Sequence, residues 1–158
     1  MSDASLQLRP FTAADDRALI DWVRSADELL TFAGPNLTWP LDTAQLEVIR
    51  SRRDTIAWTA VIPSTEEAVG HIELVTVPGR PPHIARVIVD PARRRQGLGR
   101  LLLIAVLDEA RGLGAGLVSL NVRRRNEAAI RLYTGLGFRD DEDVRDPDVS
   151  RMTLRLDV

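Results

Sequence analysis

Residues Val89 to Leu103 read VDPARRRQGLGRLLL, with three successive arginines and two glycines set between apolar stretches. The preceding residues, Ile84 to Val89, are rich in β-branched side chains and predict a strand. Asp90 and Pro91 turn the chain, and the apolar run after Gly99 predicts a helix that starts near Gly97. The arginines and glycines therefore fall at a helix N-terminus. Its leading N–H groups have no intrahelical partner and the helix dipole adds positive potential, a combination that suits a phosphate or pyrophosphate. Gly97 and Gly99 let such a ligand approach the backbone. Two familiar phosphate loops are excluded. The P-loop requires a lysine, of which the chain has none, and the dinucleotide fingerprint requires a glycine where Leu102 stands.

The rest of the chain sets bounds on this anion site. At 158 residues and 44% apolar content, the sequence predicts one core and a single domain spanning residues 1–158. No apolar run reaches the roughly 18 residues of a membrane helix, and MSDASLQLRP has no signal-peptide core. A cytoplasmic protein without a membrane partner is expected. The absence of cysteine excludes disulfides, thiolate nucleophiles and cysteine-based zinc sites. With only His71 and His83, no metal site is expected. A net charge of −2 argues against nucleic acid as a partner, so the anion site must be local. All 21 basic residues are arginine, which makes the clusters Arg93–Arg95 and Arg123–Arg125 more informative than any single arginine.

Further elements follow from periodicity and punctuation. Leu6 to Arg9 predicts a strand stopped by Pro10, and Thr12 an N-cap for a helix carrying Leu19, Ile20 and Val23. Thr31 to Pro40, TFAGPNLTWP, reads as an irregular loop before a helix starting near Asp42. Thr55–Ile62 and Ala68–Val77 predict a hairpin turning at PSTE. Leu117–Val122 predicts a strand, Asn126–Leu136 a helix and Met152–Asp157 a closing strand. The acidic stretch Asp140–Asp148 reads as a solvated hairpin or loop. There is no internal repeat.

Two motifs carry a resemblance. VIVDPARRRQGLGRLLL contains Arg94, Gly97 and Gly99 at the spacing [Arg/Gln]-x-x-Gly-x-[Gly/Ala]. LNVRRRNEAAIRLYTGLGF contains Asn126, Ala129, Tyr133, Gly137 and Phe138 in the pattern Asn-x-x-Ala-x-x-x-Tyr-x-x-x-Gly-Phe. Both in order, about thirty residues apart, resemble the GNAT superfamily of N-acetyltransferases over roughly residues 83–139. The resemblance implies an α/β (α+β) fold with a mixed, mostly antiparallel central sheet and helices on both faces. It implies acetyl-CoA as co-substrate and an amine-bearing acceptor, with a homodimer left open.

Position by position, the resemblance implies that Val87 and Val89 offer backbone groups to the acetyl and pantetheine portions. Arg94, Arg95, Gln96, Gly97, Leu98, Gly99 and Arg100 would wrap the pyrophosphate. Asn126 would bond the pantetheine or order its helix, and Tyr133 would act as general acid toward the leaving thiolate. Amine attack on a thioester develops charge that a backbone N–H and a phenol can stabilise, and it requires no protein nucleophile. Glu73 is ranked first as catalytic base, ahead of His71, which alternation places on the same strand face, and of His83; deprotonation through water stays open. Phe32, Trp39 and Trp22 are candidates for the acceptor pocket. A catalytically degenerate coenzyme A sensor and an arginine-rich RNA-binding module are the alternatives.

Overall fold

The computed structural model describes residues 5–142 and 146–157. Met1–Ala4, on which the signal-peptide reading partly rests, and residues 143–145 of the acidic stretch lie outside them. The described residues form a seven-stranded sheet in the order β1-β2-β3-β4-β5-β7-β6. Its strands are β1 (Gln7–Pro10), β2 (Thr55–Ile62), β3 (Glu67–Val75), β4 (His83–Val89), β5 (Leu117–Arg123), β6 (Arg139–Asp140) and β7 (Val149–Arg155). All neighbours are antiparallel except β4 and β5. The helices are α1 (Asp16–Trp22), α2 (Ala26–Ala33), α3 (Thr43–Ser51), α4 (Leu98–Gly112) and α5 (Glu127–Gly135).

Two apolar clusters, one on each face of the sheet, explain the layering. Helix α4 buries Leu98, Leu102, Leu103, Val106, Leu107 and Ala110 at helical spacing, and strand alternation meets them with Ile72, Leu74, Val118, Leu120 and Val122. Each buried branched side chain contributes about 1.5–3 kcal/mol. The helix ends where Ala115 N–H bonds to Ala110 C=O and Gly114 N–H to Arg111 C=O, with Gly114 left-handed, a Schellman closure. On the opposite face Leu19, Trp22, Leu29, Phe32, Leu46 and Ile49 of α1–α3 pack with Phe11 and Ile88. Helices thus cover both faces.

Sequence and structure differ in three places. Thr12 caps a 3-10 turn, Ala13–Asp15, that leads into α1. Thr31–Ala33 are not loop but the end of α2, whose N-cap Ser25 accepts from Glu28 N–H while Glu28 accepts from Arg24 N–H. The Ser-x-x-Glu pattern is a helix-start signature legible in the sequence, although Glu28 accepts from Arg24 N–H rather than from that of Ser25 itself; Gly34 and Pro35 beyond the helix carry the loop signal. The closing strand β7 starts at Val149, three residues before the expected Met152, while Asp140 of the acidic stretch pairs with it through β6, the two strands being the arms of the expected hairpin. No helix among the described residues is long and apolar enough to cross a membrane.

The feature that positions the site is a bulge in β4. Glu73 of β3 faces Ala85, but His71 faces Ile88, so Arg86 and Val87 together oppose Ile72. Arg86 sits in the left-handed region at φ 49°. A bulge bends its strand and sharpens the local twist. Its effect is visible on the other edge of β4, where pairing with β5 covers only His83 with Ser119 and Ile84 with Leu120. Beyond that point the two parallel strands part.

Candidate active site

The parting of β4 and β5 opens a cleft of about 640 Å³. Val87, Val89 and Arg94 line one side, Asn121 and Val122 the other, with Gly99 of α4 and Asn126, Ala129, Leu132 and Tyr133 of α5. The two sequence motifs therefore converge on one cavity. Asn126 is the N-cap of α5, its Oδ1 accepting from Ala129 N–H at 3.3 Å. About two helical turns separate it from Tyr133, so α5 presents both ends of its inner face to the same cleft. Tyr133 is buried and packs its ring 5.9 Å from that of Phe138. Its hydroxyl has no hydrogen-bond partner among the described residues, and burial pushes its pKa up to about 12.

Around the start of α4 the chain is open and positively charged. Residues 94–97 and Arg100 are exposed. Arg93 is paired with Glu67, whereas Arg94, Arg95 and Arg100 have no carboxylate partner among the described residues. Arg95 and Gly97 are both left-handed, at φ 66° and 76°. Turns of this kind can gather successive backbone N–H groups into an anion-binding concavity. No side chain caps α4, so its leading N–H groups are left for a ligand. Leu98 differs from its neighbours: its side chain is in the core, and only its backbone faces the turn.

The two glycines have different physical roles. Gly97 meets a backbone requirement, because a β-branched residue at φ 76° is strained whatever space surrounds it. Gly99 lines the cleft itself, and a Cβ there would stand 3.4 Å from the Leu132 side chain, an ordinary contact. Gly99→Val is thus the cleaner test of close approach. We expect acetyl-CoA affinity to fall tenfold or more, about 1.4 kcal/mol, with a small change in melting temperature. Calorimetry beside a thermal melt checks both, and unchanged affinity would show that this turn does not touch the ligand.

The three candidate bases sit in unlike environments. Glu73 is 0% exposed, with Oε1 accepting from the Arg86 guanidinium at 2.7 Å and Oε2 2.7 Å from His71 Nε2. His71 is also buried, its ring set edge-on to Phe11 and Phe32. Alternation did place His71 and Glu73 on one face, but neither lines the cleft; the group of this network that does is Arg86. His83 shares a hydrogen bond of 2.8 Å with Ser119 Oγ. Burial, and secondarily the charge of Arg151, lower its pKa to about 4, so it is neutral at pH 7.

Of the acceptor-pocket aromatics, Phe32 lines the cleft, Trp22 is core and Trp39 is largely exposed away from it. Sequence reasoning missed Arg86, Asn121 and Thr31. No group of three or more His, Cys, Asp or Glu side chains that could hold a metal occurs among the described residues.

The fold finds its counterpart in known proteins. The model of the acetyltransferase (GNAT) family matches residues 17–138, and the chain belongs to that family. An uncharacterized protein of Mycobacterium leprae is 33% identical, over 82% of this chain and 37% of its own length. The [ribosomal protein bS18]-alanine N-acetyltransferase of Escherichia coli is 48% identical over 54 residues, 34% of this chain and 36% of that enzyme. The match thus spans little more than a third of either relative. In fold, the chain is similar to spermidine N-acetyltransferase from Vibrio cholerae, solved with CoA and spermine, at TM-score 0.78 and 20% identity over 96% of this chain and 95% of that one.

Proposed function

We propose that the protein is an N-acetyltransferase that moves the acetyl group of acetyl-CoA directly to an acceptor amine. The observation that carries this reading is the cleft between the parted strands, with an uncapped helix start and unpaired arginines at one end and a partnerless phenol inside. The arginines and the α4 N–H groups would hold the pyrophosphate. The unpaired edge of β4 at Val87 and Val89 would bond the pantetheine arm and stabilise charge developing on the acetyl oxygen. In the reaction the carbonyl–sulfur bond breaks and a carbonyl–nitrogen bond forms. The Tyr133 hydroxyl donates to the departing sulfur, and the amine's surplus proton leaves through water. Glu73 is sealed in an ion pair and His83 is a weak base, so no side-chain base is assigned. A single domain over residues 1–158, in the cytoplasm, belongs to the same proposal.

The RNA-binding alternative loses support from the second arginine cluster. Arg125 is paired with Asp27 and Arg124 donates to Asp146 C=O, which leaves Arg123 as the one member of that cluster whose side chain makes no hydrogen bond or ion pair among the described residues.

The test is a free-thiol assay with acetyl-CoA over a panel of amines and peptides, beside calorimetry with acetyl-CoA. Thiol release that depends on an amine is expected, with a raised melting temperature, because a ligand that binds only the folded state must stabilise it. No binding at millimolar acetyl-CoA would overturn the reading. Binding without transfer to any amine would favour the coenzyme A sensor.

A further inference from the structure

A second cleft of about 320 Å³ opens from the same parted strands toward α2 and the 3-10 turn Gly34–Asn36. It shares Phe32, Arg86, Asn121 and Arg123 with the first, so a molecule in it would abut whatever occupies the larger cleft. Its charged lining is one-sided: Arg52, Arg86 and Arg123, with the neutral His83, and no carboxylate. Arg151 adds to the field, since it pairs in register with Asn121 and its charge is felt at His83. Arg52 is held by Asp54, Arg86 by Glu73 and Arg151 by Asp141. Arg123 is held by nothing: among the described residues its side chain has no hydrogen bond or ion pair, and its Nε, like those of Arg86 and Arg151, is buried and unsatisfied. A buried guanidinium N–H without a partner loses its hydration with nothing in exchange. That cost is relieved by an anion brought in from outside.

We infer, resting on the transferase reading above, that this second cleft is the acceptor site and that it selects a small amine bearing a carboxylate, of amino-acid size, with Arg123 receiving the carboxylate. The forked guanidinium matches a carboxylate with two parallel hydrogen bonds. Alternation along β5 places Val118, Leu120 and Val122 in the core under α4, so Asn121 and Arg123 project to the opposite face, where α2 closes the cleft. A polyamine would carry several positive charges into a lining without a carboxylate. A peptide N-terminus would present an amide where the free carboxylate is wanted.

The experiment uses the full chain with acetyl-CoA and three pools: the common L-amino acids, their carboxamides, and the matching decarboxylated amines together with spermidine. Thiol release is expected to favour the acids over the amides by tenfold or more in kcat/KM. Arg123→Gln should raise KM for the acids and shrink that preference below threefold with kcat little changed, and Arg123→Lys should keep part of it. Arg124→Gln, outside this cleft, should leave it unchanged; thermal melts confirm that each variant folds. Amides or spermidine used as well as the acids would overturn the inference while upholding the transferase. If no pool releases thiol, the transferase reading fails for these amines, and calorimetry of N-acetyl-amino acids against N-acetyl-amino amides on CoA-loaded protein decides the pocket. Tighter binding of the acids that is lost in Arg123→Gln supports the carboxylate site; equal or absent binding overturns it.

Discussion

Tyr133→Phe is expected to slow turnover by about 10- to 100-fold while acetyl-CoA affinity and melting temperature stay close to the parent values. The ring, which packs against Phe138, is kept, and only the hydroxyl is lost. Burial holds the phenol near pKa 12, above the range of a free thiol at about 8.5. Full transfer of its proton to the leaving sulfur is therefore uphill. In the proposed transfer the hydroxyl would act mainly as a hydrogen-bond donor to the sulfur as negative charge develops there. A hydrogen bond to a charged group contributes about 1.5–3 kcal/mol, which sets the expected range. An interaction made mainly in the transition state lowers kcat and kcat/KM together and leaves ground-state binding alone. Saturation kinetics, cofactor calorimetry and melts on both proteins check this. Unchanged turnover with chemistry rate-limiting would make Tyr133 a packing residue, and so would a joint collapse of affinity and stability. The raised pKa adds a sign: the hydroxyl stays protonated at every pH below about 11, so Tyr133 contributes no falling limb to the kcat profile in that range.

Glu73→Leu is expected to destabilise the protein by about 3–5 kcal/mol, because it leaves the Arg86 guanidinium buried without its counter-ion. At about 2–4 °C per kcal/mol for a chain of this size, the melting temperature should fall by roughly 6–20 °C. Glu73→Gln keeps the volume and an acceptor oxygen and should cost less. Combining Glu73→Leu with Arg86→Met removes the stranded charge and should recover most of the stability. The ion pair also ties Arg86 of the β4 bulge to β3, so Glu73→Leu and the double variant should both bind acetyl-CoA more weakly than the parent. If instead Glu73→Gln melts normally, binds acetyl-CoA normally and fails only in turnover, Glu73 is the catalytic base and its burial is relieved when the acceptor binds.

The strands, the hairpin, α4 and α5 were legible because each is punctuated where its period ends. Asn126 and Gly97 mark helix starts by chemistry alone, and the alternation of His71 with Glu73 held in three dimensions. Arg86 was not legible. In sequence it is one more residue of an apolar strand, and only the pairing register with β3 reveals the bulge that turns it toward Glu73 and the cleft. Arg123 is legible in the sequence as charge and not as a pocket residue, because its direction depends on where β5 leaves β4. The acceptor aromatics could not be sorted from composition, since Trp22 and Phe32 are both buried side chains of neighbouring helices and only one of them borders a cavity.

The walls of the two clefts come from different lengths of chain. Ile84 through Tyr133 build most of the larger cleft, with Asp27, Glu28, Thr31 and Phe32 of α2 completing it, while the outer segment Ala33–Asn36, with Leu30 and Arg52, lines the smaller one alone. Substitutions or insertions in the outer segment can reshape what is accepted without disturbing what donates. Selectivity in this architecture is heritable apart from chemistry, and a lineage carrying it can exchange acceptors while its donor machinery is kept intact.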